Sequence, residues 1–354
     1  MARYVYKRGA MQQEYRAWLP NELILHVLSY SDPYDLLNFL RANPKISWLV
    51  TSRHTLRRDE LGNNILHLLI LEEETDLIMP LLSKGIQMDS VDKSGRTPLL
   101  HAAMRGNELV VRELVGKDSV VVNMPDHFGR TPLSYAAANG HEAVVKQLLR
   151  HDGVAPDLKD LLSRTPLSYA AGNGHQAIVK LLLERHDVEA DSRDHRSRTP
   201  LSHAAGNGFE EVVKLFLARH DVEVDFPDCA NQTPLSWAAE RGYEGVVRIL
   251  IQRGDVQTNL IDNSGRTPLS YAAGNGYEGI VKLLVQHGDV DINSKDHQDL
   301  TPLSWAAAAG CEGVVQILTQ QDGIELDSTD VFGRTPMLLA TFGGYERVLK
   351  LLLR

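Results

Sequence analysis

Cysteine is nearly absent. The 354 residues hold two, Cys229 and Cys311; they stand in different parts of distant segments, so no disulfide is expected between them. As free thiols they fit a reducing compartment, cytosol or nucleus. Long apolar runs are missing too. The first thirty residues are broken by Arg3, Lys7, Arg8, Glu14 and Arg16, so neither a secretory leader nor a membrane span is expected. Basic charge is in deficit, with 37 Lys and Arg against 46 Asp and Glu and a net charge of −9. That counts against direct binding of nucleic acid or acidic lipid. No His and Cys pair has the spacing of a zinc site, and no cofactor is expected.

What the chain has in abundance is one phrase. Thr-Pro stands at Thr97, Thr131, Thr165, Thr199, Thr233, Thr267, Thr301 and Thr335, each 34 residues after the last. Constant spacing of that size marks a solenoid, in which units pack only on their neighbours. Thr at a helix N-cap accepts a bond from an orphan N–H, and Pro at the next position loses no needed donor. Nine residues after each Thr comes a Gly, from Gly106 to Gly344, suited to the left-handed residue that ends a helix. Ala-Ala in between lets another backbone approach closely. Glu142, Gln176, Glu210 and Glu244 then open a second helix with an apolar stripe such as Val-Val-Lys-Leu-Phe-Leu, the acids complementing its dipole. Five residues before each Thr is an Asp, from Asp92 to Asp330, usually leading through a turn residue to Arg. This predicts a tight turn.

Turn, short helix, turn, longer helix, with Asp-x-x-Gly-Arg-Thr-Pro-Leu and Ala-Ala-x-x-Gly, resembles the ankyrin repeat from Asp59 to Arg354. The phrase Arg-Thr-Pro-Leu-Ser-Tyr-Ala-Ala-Gly-Asn-Gly-His is similar to ankyrin arrays of filamentous fungi. The expected fold is all-α, an ankyrin solenoid of about nine repeats. Eight are regular over 92–354. A degenerate first repeat covers 59–96, with Asn64 in the Thr place and Glu73 in the later Gly place. Leu351 to Leu353 close the last repeat without a polar helix, predicting exposed apolar surface there.

Ahead of the array, residues 1–16 read as a basic, aromatic arm. Leu23, Val27 and Tyr30 share a helical face with Ile24 and Leu28 beside it, and a second helix starts after Ser31-Asp32-Pro33. Leu19-Pro20-x-Glu22-Leu23, Asp35-Leu36 and Trp48-Leu49 resemble an F-box over 17–55, with Pro44 interrupting the middle helix. The resemblance implies that Leu19, Pro20, Leu23, Ile24, Val27 and Leu28 meet a Skp-type adaptor of a cullin ubiquitin ligase. The alternative is a cap that seals the first repeat and binds nothing.

Catalysis finds no support. The His residues fall at repeat positions, the Ser residues near helix starts are suited to local hydrogen bonds, and Gly-Asn-Gly has no strand before it. Specificity is expected where the repeats vary. Four residues after each Thr runs His101, Tyr135, Tyr169, His203, Trp237, Tyr271, Trp305 and Leu339, a mostly aromatic ladder suited either to a partner or to packing against the turns. Phe128, Leu161 and Leu162 are apolar on adjacent turns. The expected role is non-catalytic: a substrate receptor joining a protein client to the adaptor, or else a scaffold or transcriptional co-regulator with a capped end.

Overall fold

The computed structural model describes residues 21–82 and 86–353. Among the described residues there is no strand, and helices alternate in pairs. Each Thr-Pro opens a helix of seven or eight residues, from Pro98–Arg105 to Pro336–Gly343. A second helix follows each, for example Glu142–Leu149 or Glu210–Leu217. The Thr hydroxyl accepts from the backbone N–H three residues on, at 3.2 Å from Thr131 to Ser134 and 3.1 Å from Thr199 to Ser202. Each such cap is worth about 1 kcal/mol. The Ser134 hydroxyl lies 3.0 Å from that of Thr131, so the serines of the Thr-Pro-Leu-Ser copies complete the cap.

Gly208 shows why glycine ends the first helix. Its φ is +79°, and a Cβ built there would stand 2.5 Å from the Tyr243 ring of the next repeat. Conformation and close approach both require it. In the Asp turns the fourth residue is also left-handed. Glycine holds that place at Gly95, Gly129, Gly265 and Gly333, whereas Ser163, Ser197, Asn231 and Asp299 adopt it with a side chain, at φ 58–61°. The turn is held by its Asp: Asp194 Oδ1 accepts from the N–H of Arg196 at 2.8 Å and of Arg198 at 3.0 Å.

First helices pack on first helices and second on second along the array. Ala204 and Ala205 are fully buried where successive first helices meet, and Val212, Val213 and Phe216 are at most 1% exposed between the rows. Burying a Val or Phe side chain is worth about 1.5–3 kcal/mol, and here the neighbouring unit supplies part of the cover. Adjacent turn tips are also joined by backbone bonds: Leu161 N–H donates to Phe128 O and His195 N–H to Leu162 O, each at 2.9 Å.

The N-terminal part comprises Asn21–Tyr30, Pro33–Ala42, a 3-10 turn Pro44–Leu49 and Ser52–Thr55. Asp32 caps the second helix through Asp35 N–H at 2.7 Å, and Pro44 starts the 3-10 turn rather than merely interrupting a helix. Pro33–Ala42 packs on Ile65–Leu71, and Pro44–Leu49 on Thr75–Leu82. In the first repeat Asn64 takes the Thr role, accepting from His67 N–H at 3.0 Å, and Glu73 takes the Gly place with φ 59°.

One member of an expected face is corrected. Leu28 is 1% exposed and Ile24 packs half-buried against the same core, while Tyr30 is 71% exposed. The buried side of Asn21–Tyr30 therefore runs through Ile24 and Leu28 and leaves Tyr30 outside. Leu28 is covered by its own chain and does not present an apolar face to an adaptor. Leu19, Pro20 and the arm lie outside the described residues, as do the side chains of Leu23 and Val27.

Candidate functional site

The ladder four residues after each Thr has a chemical common denominator. His, Tyr and Trp all carry an N–H or O–H at the far edge of a flat ring. Each uses it on the turn Asp nine residues earlier. His101 Nε2 lies 3.0 Å from Asp92 Oδ2, Tyr135 Oη 2.8 Å from Asp126, His203 Nε2 2.9 Å from Asp194, Trp237 Nε1 3.0 Å from Asp228 and Trp305 Nε1 2.9 Å from Asp296. Tyr169 and Tyr271 donate likewise to Asp160 and Asp262. Where Leu339 breaks the ladder, Arg334 Nε donates to Asp330 Oδ2 at 2.7 Å instead. Tyr135, His203 and Tyr271 are buried, and Tyr169, Trp237 and Trp305 half-buried. Of the two readings of the ladder, these contacts are those of packing against the turns: the polar edges of the rings point into the chain, because each buried carboxylate oxygen needs a donor.

The electrostatics agree with neutral rings donating to charged carboxylates. Burial pulls the His203 imidazole below its usual value despite its bond to Asp194. Burial alone would raise Asp194, but bonds from His203 and from the Arg198 and Arg196 N–H groups outweigh it and hold the carboxyl down at about 2. An ionised carboxylate can only accept, so Nε2 of His203 carries the proton. Burial and the bond to Asp160 push the Tyr169 phenol up to about 12.

Arginines from the turns lie over the same rings. Arg130 stacks at 4.5 Å on Tyr135, Arg266 at 4.0 Å on Tyr271, and Arg198 reaches the next repeat to stack at 4.3 Å on Trp237. Stacking fixes the guanidinium planes. His141 and His175, which follow the helix-ending Gly, bond Met104 O and Ala138 O at 3.0 Å. They occupy a repeat register, as their spacing implied.

The exposed apolar side chains are elsewhere. Phe128 is 56% exposed, Leu161 72% and Leu162 44%, on tips that the Leu161 to Phe128 backbone bond joins. In the last described repeat, Phe342 and Leu353 are also exposed.

A second acidic register went unread in the sequence. Asp89, Asn123, Asp157, Asp191, Asp225, Asn259 and Asn293 recur every 34 residues. Each accepts from the backbone N–H 32 residues on, as Asp191 does from Glu223 at 2.9 Å. The Asn copies make a further bond: Asn123, Asn259 and Asn293 donate to Gly153 O, Asp289 O and Gly323 O at 2.6–2.8 Å. In Asp89, Asp157, Asp191 and Asp225 the other oxygen is buried without a partner. Period alone would have found this register; the pull of the turn Asp three residues later hid it.

Paired helices stacked through capped turns, with donors engaged internally and apolar tips left outside, define a helix-turn-helix solenoid built for contact. A family model described as "Ankyrin repeats (3 copies)" matches successive overlapping stretches, 25–126, 66–160, 120–194, 152–228, 186–259, 201–296, 255–330 and 289–354. The chain belongs to the ankyrin-repeat family, and its repeats support a role in protein–protein interaction. A search of curated proteins finds no match.

Proposed function

We propose that the chain is a non-catalytic receptor whose protein partner seats on the turn tips around Phe128, Leu161 and Leu162. The observation that carries this is their exposure on adjacent, bonded tips, since an apolar side chain there has no folding role. Replacing Leu161 and Leu162 by Ser should leave stability within the small range typical of surface changes, about 0.5 kcal/mol, with little shift in melting temperature. Proteins recovered by proximity labelling with wild type should be lost with the double variant. A large drop in melting temperature would sink the reading by showing that the pair packs inside.

The N-terminal helices fit best as a cap. Leu28 is buried, and Arg41 bonds Glu72 and Glu74 of the first repeat at 3.0 and 2.6 Å. A scaffold or co-regulator needs no more. The finer reading, a substrate receptor that also binds a Skp-type adaptor, draws on the F-box resemblance and on exposed Tyr30 and Tyr34. Co-purification decides it: if wild type and a Leu23→Asp, Val27→Asp variant recover equal adaptor, the ligase role fails. Cytosol or nucleus suits the free thiols of Cys229 and Cys311.

A further inference from the structure

Building on that reading of the tips, we propose that the face made by the Asp92, Asp126, Asp160 and Asp194 turns binds an acidic peptide segment that also carries apolar side chains. The chain is acidic overall, at −9, yet this face is not. Its turn carboxylates are withdrawn: the side chains of Asp126 and Asp194 are 0% and 1% exposed, each surrounded by backbone N–H donors and a ring donor or Arg. The charged side chains that these turns expose are cationic, Lys93, Lys159, Arg193 and Arg196. Lys159 pairs with Glu189 at 3.9 Å.

Two further observations narrow the partner. Arg96 and Arg164 lie beside Tyr135 and Tyr169, each at 5.8 Å; their Nε atoms are buried, that of Arg164 3.7 Å from Asp194 Oδ2, while each side chain stays partly exposed. A guanidinium held this way loses little entropy on meeting a carboxylate. The charge is also uneven along the array, because Gln232 and Leu300 stand where earlier turns have Arg and the Asp296 turn exposes Asp299 as well as Lys295. The complementary ligand is thus acidic over the early repeats. Phe128, Leu161 and Leu162 among the cations call for apolar groups between the acids, which separates a peptide from a bare polyanion.

The test uses the full chain and fluorescence anisotropy of a labelled peptide alternating Glu and Leu. Compared with it are the same peptide with Gln or with Lys for Glu, and a single-stranded oligonucleotide of equal charge. Binding should favour the Glu peptide and weaken with added salt. Arg193→Glu with Arg196→Glu should weaken it about tenfold or more, and Arg193→Gln with Arg196→Gln should do so less, with unchanged circular dichroism in both. Equal affinity for the Glu and Gln peptides, tighter binding of the Lys peptide, or tighter binding of the oligonucleotide would each overturn the proposal. If Leu161→Ser with Leu162→Ser abolishes binding of both the Glu and Gln peptides while the charge variants change nothing, the tips remain a binding face and only the acidic chemistry falls. If no variant has an effect, both readings fall.

Discussion

Removing the phenol hydroxyl at Tyr271 should cost more than removing it at Tyr135. Asp262 Oδ1 accepts from the N–H groups of Ser264 and Arg266, and its Oδ2 has the Tyr271 hydroxyl as donor. In Tyr271→Phe that buried oxygen is left without one. Hydrogen bonds to charged groups contribute about 1.5–3 kcal/mol, and an orphaned buried acceptor costs in the same range. At Asp126 the Arg130 Nη2 also reaches Oδ2, at 3.2 Å. Tyr135→Phe leaves that donor in place, so its cost should fall to about 1 kcal/mol or less. Both phenylalanines keep the stacked ring, which separates the hydrogen bond from packing and from the Arg contact. Urea unfolding followed by circular dichroism measures the difference, with an unchanged slope indicating that the same surface is exposed. Equal losses at the two sites, or none at Tyr271, would refute the reasoning that these rings are donors to buried carboxylates. Arg334, which replaces the ring at Leu339, makes the same point: the carboxylate needs a donor, and its source is secondary.

The second acidic register gives a prediction with pH. Burial raises the Asp191 carboxyl above its usual value, helped by Glu223, Asp221 and Glu189 and opposed by the Glu223 N–H. A folded-state value above the unfolded one contributes stability that is fully present below the unfolded pKa and is lost as pH rises through the folded pKa. Asp191→Asn should therefore stabilise near neutrality by about 1 kcal/mol, supplying the donor its Asn counterparts have. The gain should shrink on acidification through the carboxylate range, as paired melts across pH would reveal; a gain that grows in acid contradicts it. Gly208→Ala should destabilise more than Gly288→Ala. Both are left-handed, costing about 1 kcal/mol, but only at Gly208 would the Cβ meet a ring; equal melting temperatures would exclude the clash. Leu28→Ala should cost about 2–5 kcal/mol as a core truncation and loosen amide protection in Ile65–Leu71, measured by hydrogen exchange. Loss of stability without that loosening would detach the N-terminal helices from the array.

The fold was legible because its determinants are local and repeated. Thr at the cap, Pro at the first helical position, Gly at the left-handed end and Asp at the turn each act within a few residues, and eight copies make the signal certain. The same period disqualified His141 and His175 as chemistry. Tertiary structure alone decided where side chains point. Nothing in the spacing says whether Tyr135 or Trp305 turns its polar edge outward; the buried Asp nine residues earlier settles it. The face of Asn21–Tyr30 followed the same rule, since Leu28 joins the buried core and Tyr30 is left exposed. The serine, asparagine and aspartate at φ near 60° were readable as turn positions only through register with glycine. Local propensity thus determined the units and their number. Burial, which depends on neighbouring repeats, decided that the ring ladder turns its polar edges onto the turn Asp residues and that Phe128, Leu161 and Leu162 remain outside.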